Sequence, residues 1–527
     1  MFLREIKVKG KTYLNIVESY WQDGKSKHRN VGSLGRLDKL QNTEQLRKIT
    51  NSLLRYCNNK TYLDITTAEE KSRKVWGAPV VIRKIWDEFK LDTLFSKIRD
   101  GSKIKFDFFS SVFLMVLDRL MSPGSKLRSY EKQGKYWSIR ENELQHLYRA
   151  MDILANSKED IEKHLFEMNK NLFNMKIDVV FYDVTTLYFE SVSEDVLREF
   201  GFSKDCKINE VQIILGLLVD LEGMPIGYDI FPGSTFEGHT VKGIIEKLSK
   251  RFQINRLVFV GDRGILSKDN LELIKGFGYE YIVGSRIKNK SKDLQEKILN
   301  EEGYLEVKMK EEGERFKYKE IETGKDKIIC GFSEKRAQKD RRDRERLILK
   351  AEKIVEEGGS IISKRGALRY IEVKSIKYGK INNEKIKEEE RWDGYYGVQT
   401  NCKFIEGIEI LNIYHELWRI EESFRILKSH IETRPIFHWT AKRIKGHMML
   451  CFIAFLLERA LEIKLRRDKV EYSALKIRDA LNSLQFSEVE IEGQRFYIRS
   501  TIEGLANEIL RALKIRVPAR VTTPDTF

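Results

Sequence analysis

The chain has 527 residues, too many for one ordinary domain, so two to four are expected. Its 41% hydrophobic and 33% charged residues exclude a disordered chain, and its longest apolar run, Met448 to Leu457, is too short to span a bilayer. A net charge of +16 points to a polyanion partner, nucleic acid first, although a general preference for Lys and Ile raises charge without any function. The five cysteines (Cys57, Cys206, Cys330, Cys402 and Cys451) form no CxxC pair, which argues against a disulfide framework and structural zinc and fits a reducing cytosol. The opening MFLREIKVKGK lacks the apolar core of a secretory signal, so a cytoplasmic place is expected.

Residues 1 to about 40 alternate as strands do, with turns at Gly10-Lys11 and Asp23-Gly24, and a charged helical stretch runs to residue 75. Residues 76–174 form a mainly helical domain, broken at Pro123-Gly124 and Asn156-Ser157 and suited to DNA recognition. Lys126, Arg128 and Lys132 follow the first break; each taken singly reads as an ordinary charged helix face.

The period changes at Ile177. Strands are expected at 178–189, 211–220, 223–231, 256–261 and 279–284, with helices at 239–252 and 267–277. Three antiparallel strands followed by helix-linked parallel ones give an α/β mixed sheet, an order that resembles the ribonuclease-H-like nuclease fold. Residues 286–405 interrupt this core as a charge-rich, β-rich insertion with one long, solvated helix. The core resumes over 406–465, where His447 reads as a satisfied core histidine. Residues 466–527 form an α/β tail with an amphipathic helix near 502–514, a candidate for dimerisation.

Three carboxylates sit in unusual places. YHELWRIEESFRILK, Tyr414 to Lys428, reads as one helix. On a wheel of about 100° per residue, Tyr414 and Lys428 fall close to Glu421, which lies within the apolar face. A carboxylate there needs a partner or a metal; an ion pair with Arg425 is the plain alternative. Asp183 lies in an apolar strand, where a strand-edge charge is the plain alternative, and Asp262 at a strand end before a Gly turn, where a turn or cap role is the commoner reading of a single Asp. Together with the basic chain, the three favour a divalent-metal site of oxygen ligands.

The same stretch resembles the Y-x2-R-x3-E-x6-K signature of bacterial insertion-sequence transposases of the DDE superfamily. Tyr414, Glu421 and Lys428 match; Leu417 stands where the family has Arg, with Arg419 and Arg425 as candidates for its role. FYDVTT and VGDRGI resemble the first and second Asp motifs, and the similarity in segment order covers most of the chain. The resemblance implies cut-and-paste transposition: Asp183, Asp262 and Glu421 as catalytic metal ligands, two Mg²⁺ ions with Mn²⁺ able to substitute, and terminal inverted repeats and target DNA as partners. It also implies a homodimer in the paired-end complex and a bacterial, nucleoid-associated setting. Tyr414 and Lys428 would meet phosphate, as would Arg286 and Lys288, and a flipped base would stack on Tyr396 with Trp392 nearby. Two alternatives stay open: another ribonuclease-H-like nuclease without strand transfer, and a catalytically inactive DNA-binding derivative.

Overall fold

The computed structural model describes every residue except 43, 57–64, 102–103, 174–178, 203–208, 253–256, 265–266, 309–314, 358–364, 376–377 and 524–527. Cys57, Cys206 and Ile177 lie outside the described residues, as do the expected first residues of the strands at 178 and 256. The chain divides into two units: Met1–Lys74 with Gln485–Thr501 and Val517–Phe527, and Val75–Leu484 with Ile502–Arg516. The tail, read as one region from sequence, is therefore shared between them.

In the first unit, β1 (Phe2–Val8), β2 (Lys11–Gln22) and β3 (Lys25–Arg36) form an antiparallel meander. The chain reverses at Lys9-Gly10 and Asp23-Gly24, with all four residues at positive φ. Such two-residue turns match the right-handed twist of the strands. The first falls one residue earlier than expected. Helices α1 (Leu37–Asn42) and α2 (Gln45–Tyr56) follow, and then β4 (Glu69–Val75). β4 lies at one edge of a second sheet, whose other strands, Gln485–Ile491, Gln494–Arg499 and Val521–Thr522, come from the end of the chain.

The second unit begins with α3 (Gly77–Glu88), α4 (Leu91–Asp100), α5 (Phe108–Met121), α6 (Lys126–Glu131), α7 (Leu144–Asn156) and α8 (Lys158–Phe173). Asp107 and Ser125 cap α5 and α6 by accepting from the backbone of Ser110 and Arg128. Apolar residues surround α5, and its Asp118 accepts from Ser129 Oγ (2.5 Å) and Tyr136 OH (3.2 Å). Lys126 is buried, and burial together with nearby Arg119 lowers its ammonium from 10.5 to about 7. The unfolded chain keeps that proton up to the ordinary value. From about pH 7 to 10.5 the unfolded state therefore binds more protons, and stability rises with pH by up to about 1.4 kcal/mol per unit. Lys126→Met should flatten this stretch of a urea-unfolding profile; an unchanged slope would clear Lys126 as its source.

A nine-stranded sheet follows. Its first part is β5 (Val179–Tyr188), β6 (Gln212–Asp220), β7 (Pro225–Pro232), α9 (Glu237–Phe252), β8 (Val258–Gly261), α10 (Lys268–Gly276) and β9 (Glu280–Ser285). The chain continues through α11 (Lys292–Leu299), β10 (Leu305–Lys308), β11 (Arg315–Thr323), β12 (Asp326–Ser333) and α12 (Glu334–Glu356). Next come a separate pair, β13 (Ile371–Ser375) and β14 (Tyr378–Ile381), then α13 (Asn383–Glu390) and β15 (Tyr395–Thr400). The order is β10-β11-β12-β15-β9-β8-β5-β6-β7. β5, β6 and β7 pair antiparallel, β8 and β9 run parallel to β5, and β15 is antiparallel to β9. Among the described residues, the strands of 286–405 thus extend the core sheet, and only β13–β14 stand apart.

The chain then forms α14 (Gly407–His415), α15 (Trp418–Arg425), a π-helical turn at Ile426–His430, α16 (Ala441–Arg467), α17 (Ala474–Ser483) and α18 (Gly504–Ala512). Val180, Tyr182 and Val184 pack with Val241, Ile245 and Ile274 from α9 and α10. Because side chains alternate along a strand, Asp183 faces the other side of the sheet, where α15 lies on β5 and β6. α16 is buried along most of its length. Among the described residues, no helix is long and apolar enough to cross a membrane. The described cysteines, Cys330, Cys402 and Cys451, are free and buried.

Candidate active site

Parallel pairing brings the two Asp residues together. β5 and β8 pair Val179 with Val258 and Phe181 with Val260. Asp183 and Asp262 lie two residues beyond the last of these pairs, at equivalent places on the two chains, and both line one cavity. β8 and β9 pair Gly261 with Val283, so the row continues to Gly284. A Cβ at Gly284 would lie 2.5 Å from the Tyr414 hydroxyl, so the missing side chain makes the space that Tyr414 fills. Each Asp accepts the backbone N–H of its successor, Val184 or Arg263, at 2.7 Å.

The third carboxylate arrives on a helix that is not continuous. Glu416 and Leu417 separate α14 from α15, and the chain there is tightened by i→i+3 bonds, Leu417 N to Tyr414 O (3.2 Å) and Ile420 N to Leu417 O (3.2 Å). Three residues per turn replace 3.6, so a uniform wheel misplaces Glu421. It is exposed, and Ile420, Ser423 and Phe424 make the buried face, which corrects the expectation that Glu421 lies within that face. It occupies the first turn of α15, where the helix dipole favours a carboxylate. The ion pair weighed for it falls elsewhere: Arg425 lies 3.7 Å from Glu422, and Glu422 is bound by Arg459 at 2.8 Å. Past α15, the end of the π turn and the segment after it are held through their carbonyls. Arg478 donates to His430 O (2.5 Å), Arg119 to Glu432 O (3.1 Å), and His447 Nε2 meets Thr433 O (3.0 Å).

Asp183, Asp262 and Glu421 line one cavity of about 370 Å³ with Tyr414, His415, Leu417, Trp418 and Ile420. The three carboxylates offer only oxygen donors, which suit hard divalent ions. The carboxylates share the cavity without closing into a cage: among the described residues, no three His, Cys, Asp or Glu are gathered closely enough to hold an ion.

Asp262 and Tyr414 also line a second cavity of about 770 Å³, together with Arg286, Lys288, Trp392 and Tyr396. Burial and the Asp262 carboxylate push the Tyr414 phenol up, so it stays a proton donor. Arg286 is exposed, and Lys288 is paired with Glu389 at 3.0 Å. Tyr396 donates to or accepts from His415 Nε2 (2.8 Å), and its ring lies over Gly331, where a Cβ would come within 2.6 Å of it. Trp392 is only 5% exposed, packed with Ile287, Ile328 and Cys330, so it supports the cavity wall from behind. Arg419 is held by Glu416 at 2.5 Å and lies over the Trp418 ring. Arg419, Arg425 and Lys428 do not line either cavity.

Sequence reasoning missed Arg263, Arg336 and His415. Arg336 sits over the Tyr396 ring at 5.0 Å, from a helix read as merely solvated. Nothing local marks it out among the charges of α12.

Two family models match the chain: "IS1634 family transposase, N-terminal domain" over residues 3–68 and "Transposase DDE domain" over residues 174–457. No curated protein matches. Among solved structures, a piggyBac transposase synaptic complex with hairpin DNA is similar at 9% identity and TM-score 0.36, over 77% of this chain and 79% of that one. A Mos1 transposase paired-end complex with the left transposon end is similar at 11% identity and TM-score 0.15, over 36% of this chain and 64% of that one.

Proposed function

The chain belongs to the DDE transposases of bacterial insertion sequences, and from that membership we propose that Asp183, Asp262 and Glu421 are its catalytic metal ligands. The protein is a DNA transposase, and the DDE domain carries a general dependence on divalent metal. The observation that supports the residue assignment is one cavity to which β5, the end of β8 and the first turn of α15 each bring a carboxylate. The strand order β7-β6-β5-β8-β9, three antiparallel and then two parallel, supports a ribonuclease-H-like core.

Bound divalent ions, Mg²⁺ foremost, with two as the working number and Mn²⁺ as a substitute, would activate an attacking oxygen and stabilise a leaving 3′ oxygen. The chain's own groups do the rest. The three carboxylates would hold these cations. Tyr414, protonated and seated on Gly284, donates to a phosphate oxygen. Lys428 and Arg286 offset backbone charge nearby, with Lys288 available once it leaves Glu389. Water attacks first at the element's end; the freed 3′-OH then attacks the opposite strand, forming a hairpin and releasing the flanking DNA; a second water opens the hairpin, and the regenerated 3′-OH attacks target DNA. No covalent protein–DNA intermediate is required. An extruded base would enter the larger cavity and stack on Tyr396. Two copies would hold the two terminal inverted repeats.

The test is Mg²⁺-driven cleavage of a duplex carrying the element's own terminal repeat, followed by joining to a target plasmid. Cutting without joining would make the protein a plain nuclease. Binding without cutting in Mg²⁺ or Mn²⁺ would make it an inactive derivative. Gly284→Ala probes the Tyr414 seat. It should slow cleavage by on the order of tenfold to a hundredfold through misplacement, with little change in DNA affinity. Unchanged cleavage would show that the position of Tyr414 is immaterial.

A further inference from the structure

The reading above leaves unused a loop from Ile431 to Thr440, between the π turn and α16. Its inner side is fixed: Ile436 and His438 are buried, and His438 packs on His447 at 5.3 Å and edge-on to Tyr148 at 6.2 Å. The alternate residues face out, and they are Phe437 and Trp439, 57% and 63% exposed. Residues two apart in an extended segment share a face about 7 Å apart, roughly twice the 3.4 Å spacing of stacked bases.

The rings are set among cations. The Arg198 guanidinium backs Trp439 at 5.3 Å while paired to Asp195 at 2.7 Å, and Arg434 lies over Tyr188 at 5.0 Å. No Asp or Glu occurs from Thr433 through Leu457, and Lys442 and Lys445 are exposed in the first turns of α16. Tyr188 is five residues along β5 from Asp183, about 16 Å at strand rise, or some five base steps.

We propose that Phe437 and Trp439 form a stacking platform for unpaired bases of the DNA held at the carboxylate site. Lys442 and Lys445 take the adjoining phosphates. The proposal rests on the DNA transposase reading. Arg198 lies against the Trp439 ring while most of the side chain stays exposed, and an exposed aromatic ring serves as a base-stacking surface. Buried anchors hold the loop in shape, so little ordering is needed on binding. The charge framing the rings is mainly positive, with Asp195 taken up by Arg198, which suits a polyanion better than a second copy of this basic chain.

The test uses the full chain and two fluorescent duplexes carrying the terminal repeat, one fully paired and one with a short unpaired segment about five base steps from the cut. Affinity is measured by anisotropy without divalent metal. Trp439→Ala should lose roughly tenfold to a hundredfold on the unpaired duplex and little on the paired one, and Trp439→Phe should recover most of the loss. Lys442→Gln with Lys445→Gln should weaken both duplexes and reduce the salt dependence. Equal affinity of Trp439→Ala and the parent for the unpaired duplex would overturn the platform, as would equal loss on both. Loss of self-association by sedimentation in Trp439→Ala, with DNA affinity intact, would also overturn it and assign the face to a second copy. Because binding is read without metal, failure here leaves the three-carboxylate reading standing, and the converse holds.

Discussion

Glu421→Gln is expected to lower metal-dependent cleavage by on the order of a thousandfold, about 4 kcal/mol of transition-state stabilisation, while leaving repeat binding within about twofold of the parent. The substitution keeps the shape of the side chain and removes only its charge. Glu421 is exposed on the first turn of α15, and among the described residues it takes part in no ion pair, so folding has little stake in it. Its neighbour is the natural control. Glu422 does not line the carboxylate cavity and is spent on Arg459. Glu422→Gln should therefore cut normally and lose stability instead, because it weakens the hold on a buried guanidinium. Asp183→Asn and Asp262→Asn should follow Glu421→Gln. If Glu421→Gln cuts at the parent rate, Glu421 is a surface charge and the site loses its third member.

Gly446→Ala should be the most damaging small substitution in the helical part of the protein. The new Cβ would stand 2.1 Å from the carbonyl oxygen of Met151, a backbone atom of α7. A backbone cannot rotate aside as a side chain can, so α16 and α7 must separate. α16 is the longest buried helix, and shifting it disturbs packing along its length. A cost of about 3 kcal/mol is expected from overpacking. That is a large share of an ordinary domain's stability of about 5–15 kcal/mol. Gly276→Ala is the matched control: nothing lies within 4 Å of its Cβ, and removing glycine's freedom there should gain about 0.5 kcal/mol. Urea-unfolding midpoints separate the two; coincident midpoints would mean that α16 and α7 tolerate wider spacing.

What could be read in the sequence was what short-range pattern encodes. The runs around Asp183 and Asp262 are apolar and β-branched, and each strand falls within two residues of its expected place. The reading of 414–428 as one regular helix failed for a physical reason. Hydrophobic spacing does not reveal a tightened turn at Glu416-Leu417 or a π turn at Ile426, and each one rotates every residue after it. The wheel that singles out Glu421 is one the backbone does not follow, yet Glu421 still lines one cavity with the other two carboxylates. The larger cavity was partly visible: Arg286, Lys288, Trp392 and Tyr396 do share it. Trp392 turned out to be a wall, because solvent exposure is decided by partners such as Ile298 and Cys330 that no local pattern names. Arg336 over Tyr396, and Gly284 beneath Tyr414, depend on pairing between strands far apart in the chain. Strand propensity predicts an element; it does not say which edge the element joins.

The pairing of β15 with β9 closes a long excursion on itself, since Ser285 leaves the core opposite Gly397, where the chain comes back. The added strands therefore act as a cover for a raw edge. Without them, β9 would present unpaired amide and carbonyl groups of an apolar strand, the kind of surface on which chains pile up into aggregates. A shortened variant lacking 286–405 would keep all three carboxylates and still be hard to keep in solution, unless charge or proline were placed along β9.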